Sequence, residues 1–117
     1  SSPGNMHWMW AEIQEFCYRQ ALAHRKNGQA STSVELLSLT LAVLRQCKQS
    51  CPNFASTESR LLRQLALSYL QDSKPQLAYA HAREAVARVT PGSKGRTAAL
   101  RILLHVLCCA PSAKSSA

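Results

Sequence analysis

Apolar residues recur at steps of three and four along most of this chain, which is the period of a helix and not of a strand. The pattern predicts five helices. The first runs from about His7 to Lys26, with Trp10, Ile13, Cys17 and Ala21 on one face, widened by Phe16 and Trp8. Asn27-Gly28 ends it, since glycine suits the left-handed residue after a helix. The second runs from about Ser33 to Gln49. Leu37, Leu41 and Leu44 form its stripe, and Leu36, Leu39 and Val43 widen it enough to predict a central helix packed on two sides. Thr32 and Glu35 have the spacing of a capping box at its start.

Cys51-Pro52-Asn53 breaks the pattern, because proline removes an N–H and blocks the turn before it. The third helix is expected from about Ser56 to Gln71. Ser73 reads as the cap of the fourth, with Pro75 near its start, and that helix ends near Val89. Ser93 reads as the cap of the fifth, which Pro111 stops. Connections this short make consecutive helices antiparallel neighbours. The fold class that follows is all-α, a five-helix antiparallel array of helical hairpins. Residues 1–6 read as linker, 7–111 as a single helical domain and 112–117 as a flexible tail.

The third and fourth segments carry a finer pattern. Leu62, Leu65, Ala66 and Tyr69 hold a helical spacing, and Ala78, Ala82 and Ala85 follow at i, i+4 and i+7, before Pro91. Small residues at those steps let two helices approach closely. The order of large, small, aromatic, turn, small, small, proline resembles a tetratricopeptide repeat. Ala66 stands where that family has glycine, Leu62 where it has tryptophan and Ala82 where it has a bulky aromatic. The likeness covers about half of the chain: one good repeat at Leu62–Pro91, then a fifth helix resembling a half repeat or cap. The first two helices match poorly.

In that family the first helix of each hairpin lines a concave groove. The resemblance therefore implies Arg60, Arg63, Leu67 and Leu70 on the third helix, and Lys94, Thr97, Arg101 and Leu104 on the fifth, as partner-binding residues. It implies a protein–protein interaction module, a scaffold or adaptor. Four of these eight residues are cationic, and the arginine fork donates two parallel hydrogen bonds to a carboxylate. A basic groove with a leucine floor suits an acidic or amphipathic peptide segment of a partner. Trp8 and Trp10 form a possible second interface, or a plug at one end of the bundle.

Charge points the same way. Lys and Arg number 14 against 6 Asp and Glu, a formal net charge of +8, which suggests a negatively charged partner. Two alternatives stay open: a basic helical nucleic-acid-binding domain, and a subunit-assembly domain that completes an apolar face by self-association. Nucleic acid is disfavoured because the arginines are spread over all five helices and no standard module is legible. No apolar run is long enough to span a membrane. The 5 cysteines make no secreted-protein framework, so an intracellular place, cytoplasm or nucleus, is expected.

Catalysis is not expected. The carboxylates are scattered, and no phosphate loop, dinucleotide fingerprint or metalloprotease motif occurs. No cofactor is expected either. Cys47, Cys51, His105, Cys108 and Cys109 are soft ligands, but they lack paired knuckle spacing, so buried unpaired thiols are the expectation and metal is not.

Overall fold

The computed structural model describes residues 3–115, with side chains from Met9 to Ala113. It contains α1 (Pro3–Lys26), α2 (Ala30–Gln46), α3 (Phe54–Gln71), α4 (Pro75–Ala87) and α5 (Lys94–Cys109). Short 3₁₀ turns follow α2, at Lys48–Ser50, and α5, at Pro111–Ser115. Among the described residues there is no strand. The protein is an all-α array of five helices.

Each helix packs on the next in sequence, and α3 also touches α1 and α5. So α3 is the centre, and α1 and α5 flank it. The core follows this arrangement. Leu37, Leu41 and Leu44 of α2 meet Leu61, Leu62 and Leu65 of α3, with Ala21, Ala85 and Ala99 closing the cluster. A second cluster joins Ala66, Ala78, Ala82 and Val106. Ala66, Ala78, Ala82 and Ala85 are all fully buried, which is the physical use of the small residues: they let α3 and α4 come close. The Ser59 hydroxyl donates to the Ala85 carbonyl at 2.8 Å and ties the same pair. Truncating Leu62 or Leu65 to alanine in such a core costs about 2–5 kcal/mol.

The ends of the helices correct several expectations. α1 begins at Pro3, inside the segment expected as linker, and proline at the first helical position loses no needed N–H. α2 begins at Ala30, so Thr32 and Glu35 lie inside the helix and form no capping box. The reason is the Gly28 turn, at φ +81: the Gly28 N–H reaches the Arg25 carbonyl and the Gln29 N–H reaches that of His24. That closes α1 and starts α2 within three residues.

Ser73 is not a cap either. It sits at φ 61 and closes α3, with its N–H on the Leu70 carbonyl and the Lys74 N–H on that of Tyr69. A serine thus fills the left-handed position that glycine fills at residue 28. Lys74 precedes α4 instead, with Pro75 inside the first turn. Ser93 does cap α5, accepting from the Arg96 N–H at 3.1 Å. Beyond α5 the expected tail is a 3₁₀ turn over Pro111–Ser115 that packs on α4 and α5 and buries Ala113.

The wide apolar faces are only partly buried. Ile13 and Phe16, expected to pack, are exposed, and so is Leu39 on α2. α2 does lie between α1 and α3, but it turns Leu39 away from both. No helix among the described residues is long and apolar enough to cross a membrane.

Candidate partner-binding face

The central helix has two unlike sides, and arginines decide the character of each. At its N-terminal end, Glu58 stands four residues before Leu62 and so lies on the core stripe. It is buried, and two arginines reach it. Arg45 Nε of α2 donates to one carboxylate oxygen at 2.8 Å, and Arg88 Nε at the end of α4 lies 3.2 Å from the other. The same two guanidiniums meet again on Glu84, at 2.9 and 2.8 Å. Two arginines and two glutamates thus close a ring that joins α2, α3 and α4. A cavity of about 510 Å³ opens beside it, lined by Arg45, Lys48, Phe54, Ala55, Glu58 and Arg88. Its cations are occupied: the arginines by the ring, and Lys48 by the Phe54 ring at 5.3 Å.

Local sequence does not announce the ring, because Glu58 reads as a first-turn charge. A carboxylate in register with Leu62, Leu65 and Tyr69 is the signal that marks it.

The other side of α3, between α1 and α5, carries the expected groove residues. Arg60 is already engaged. Its guanidinium stacks 3.7 Å over the Tyr18 ring and lies 3.1 Å from Glu15, both on α1. Burial opposes the Arg60 charge, but Tyr18 and Glu15 outweigh it and hold its pKa above the ordinary value. Glu15 in turn is held below the usual carboxylate range, first by the hydrogen bond from Arg60 and then by Arg19. Arg60 therefore clasps α1 to α3.

Arg63 has a different setting. It is half-buried and donates to the Gly95 carbonyl of α5 at 3.3 Å, and no carboxylate pairs with it among the described residues. Burial pushes its pKa down. Arg25, at the end of α1, shares this condition. It donates to the Gln64 carbonyl at 3.1 Å and lies 3.4 Å from the Ser68 hydroxyl, which meets Ser33 at 2.8 Å. Burial lowers its pKa as well. By its place at a helix end Arg25 reads as a charge explained by the helix dipole; the structure puts it on the α1–α3 seam. Gln14 Nε2 and Gln64 Oε1 are buried with no hydrogen-bond partner. A buried polar atom left so costs about 1–3 kcal/mol.

The remaining expected residues divide. Leu67 is half-buried on α3 beside Arg63. Leu70 turns inward and packs on the cluster of Ala66, Ala78, Ala82 and Val106. On α5, Lys94 and Arg101 are exposed, and Leu104 is 63% exposed. The Thr97 hydroxyl donates to the Ser93 carbonyl at 3.3 Å. Trp10 is partly buried and packs against the core, whereas Trp8 lies outside the residues whose side chains are described.

The soft ligands do not converge: no group of three or more His, Cys, Asp or Glu among the described residues is placed to hold a metal ion. All five cysteines are free but none is buried, against expectation: Cys17, Cys47 and Cys51 are half-buried, and Cys108 and Cys109 are exposed at the end of α5. His105 and Cys109 touch, at 3.7 Å, but both are exposed at the end of α5. No family model, no curated protein and no solved structure matches this chain.

Proposed function

We propose that this chain is a non-catalytic interaction module of tetratricopeptide-like type, and that the α1–α3–α5 side takes an acidic or amphipathic segment of a partner protein. One observation carries the reading. Arg63 and Arg25 hold half-buried positive charge beside α3 with only carbonyl and hydroxyl acceptors, while Arg45 and Arg88 on the same helix's other side are matched by carboxylates. A desolvated arginine without a counter-charge gains more from an incoming carboxylate than a solvated one does. Leu67 and Leu104 supply apolar contact on either side. The repeat-like reading is supported by the alternation in which α3 touches α1 and α5. The free thiols agree with a reducing compartment, cytoplasm or nucleus.

The side-chain contacts decide which residues test this. Arg60 is committed to Glu15 and Tyr18, so its removal loosens α1 rather than emptying a groove. The double variant Arg63→Glu, Arg101→Glu leaves that clasp intact. The measurement is capture from nuclease-treated cell extract, followed by titration of the captured partner's acidic segment as a synthetic peptide. Unaltered protein is expected to bind and the variant to lose at least tenfold, the equivalent of about 1.4 kcal/mol. A partner held equally by both proteins places the interface elsewhere. Capture that succeeds only without nuclease, with a steep loss of affinity in salt from counterion release, replaces the reading with nucleic-acid binding.

A further inference from the structure

Two apolar stripes, one on each flanking helix, are left uncovered. On α1, Met9, Ile13 and Phe16 follow at i, i+4 and i+7 and are 45%, 49% and 64% exposed. On α5, Leu100 and Leu104 stand one turn apart and are 47% and 63% exposed. Single exposed apolar residues need no explanation, but a stripe along one helix does. Within one molecule these stripes have no route to each other, because α1 and α5 flank α3 and each packs on it.

Charge distinguishes the two helices. Two of the chain's 6 carboxylates, Glu12 and Glu15, lie on α1, with Arg19, Arg25 and Lys26 further along it. α5 has none and carries Lys94, Arg96 and Arg101. Glu12 stands one turn from Phe16 and is exposed, outside every ion pair of the described residues. Arg101 is likewise exposed, between Leu100 and Leu104 in sequence. Around the α1 stripe Glu15 and Arg19 pair with each other, which leaves Glu12 as its unmatched charge, opposite in sign to Arg101 beside the α5 stripe.

We propose that the occupant is a second copy of this chain, with α5 of one molecule seated on α1 of the next. The contact is heterologous. Leu100 and Leu104 meet Ile13 and Phe16, and Arg101 faces Glu12, so a second copy and the partner segment proposed above exclude each other at Leu104 and Arg101. Each added molecule presents a fresh α1 or α5, so association extends head to tail instead of stopping at a symmetric dimer. The net charge of +8 on every copy works against growth and keeps the assembly concentration-dependent.

The test uses two variants, each blocking one edge: Phe16→Asp and Leu104→Asp. Both positions are mostly exposed, and circular dichroism checks that helix content and melting are kept. Sedimentation velocity on the unaltered protein, from micromolar to millimolar concentration, is expected to show a rising mass. Each variant alone is expected to stay monomeric. Mixed in equal amounts, they are expected to form a dimer that grows no further, since each contributes one intact edge. An unaltered protein that is monomeric throughout overturns the proposal. So does a variant that still self-associates alone, or a mixture that recovers nothing. Should either variant lose helix content, Ile13→Ser and Leu100→Ser repeat the experiment at the neighbouring turn.

Discussion

Arginine does opposite work on the two sides of α3. Around Glu58, Arg45 and Arg88 are fully answered by carboxylates, and the ring of four locks α2, α3 and α4 together. Beside Gln64, Arg25 and Arg63 keep their charge half-buried and receive only neutral acceptors. The residue type is the same on both sides. What differs is whether the neighbouring helices bring a carboxylate. Charge already neutralised has little left to offer a ligand, and charge that is desolvated but unmatched has most. A net charge of +8 therefore says less about binding than its division into answered and unanswered arginines.

The comparison breaks first if the ring is not structural. Replacing Glu58→Gln leaves Arg45 and Arg88 with Glu84 alone and puts a neutral amide in the buried position between them. Loss of one partner from a fully buried pair costs about 3–5 kcal/mol, and since both arginines reach solvent the expected cost is about 2–3 kcal/mol. Urea denaturation reads this as a lower midpoint at unchanged slope. A variant as stable as the parent would make the ring ornamental.

On the unanswered side the Arg63→Glu, Arg101→Glu double variant is expected to lose about 1.4 kcal/mol or more of peptide affinity while its folding stability moves by less than about 1 kcal/mol. Affinity and stability falling together would show Arg63 to be a structural group, like Arg45. Arg25→Met sharpens the point further. It removes the hydrogen bonds to Gln64 and Ser68 but also the burden of a buried charge, and methionine fills similar volume. Unfolding is expected to shift by at most about 1 kcal/mol in either direction.

Acid gives the smallest effect. Glu15 is held below its ordinary value of 4.5 in the fold, chiefly by Arg60. A depressed carboxyl pKa adds stability above the unfolded value, and that stability is lost as pH falls through the folded one. Glu15→Gln is thus expected to remove a small stabilisation that is present in full above about pH 4.5, and to flatten the acid limb below it, so that parent and variant converge in acid. The group is open to solvent, so screening keeps the change small. A large loss at neutral pH would mean that the Arg60 clasp outweighs the Glu58 ring.

Much of the fold is legible in the amino-acid sequence. Period and punctuation mark five helices, because apolar spacing along a helix is a local property and proline and glycine act on their own residues. The helix ends are less legible. Ser73 has the composition of a cap and the conformation of a C-terminal turn, a choice made by the carbonyls of Leu70 and Tyr69 behind it. Of the expected groove, Arg63, Leu67, Arg101 and Leu104 do stand at or near the surface. Arg60 and Leu70 have other partners, and Arg25 escapes notice because a cation at a helix end looks complete without tertiary help.

The sequence by itself determined the helical class, the close α3–α4 approach through Ala66, Ala78 and Ala82, and the excess of positive charge. These follow from backbone preference, side-chain size and counting. Only the tertiary structure decided which arginines are answered, which apolar stripes are covered and which cations Glu58 gathers. Each of those depends on what a second helix, distant in sequence, brings within a few ångströms, and no local pattern records that.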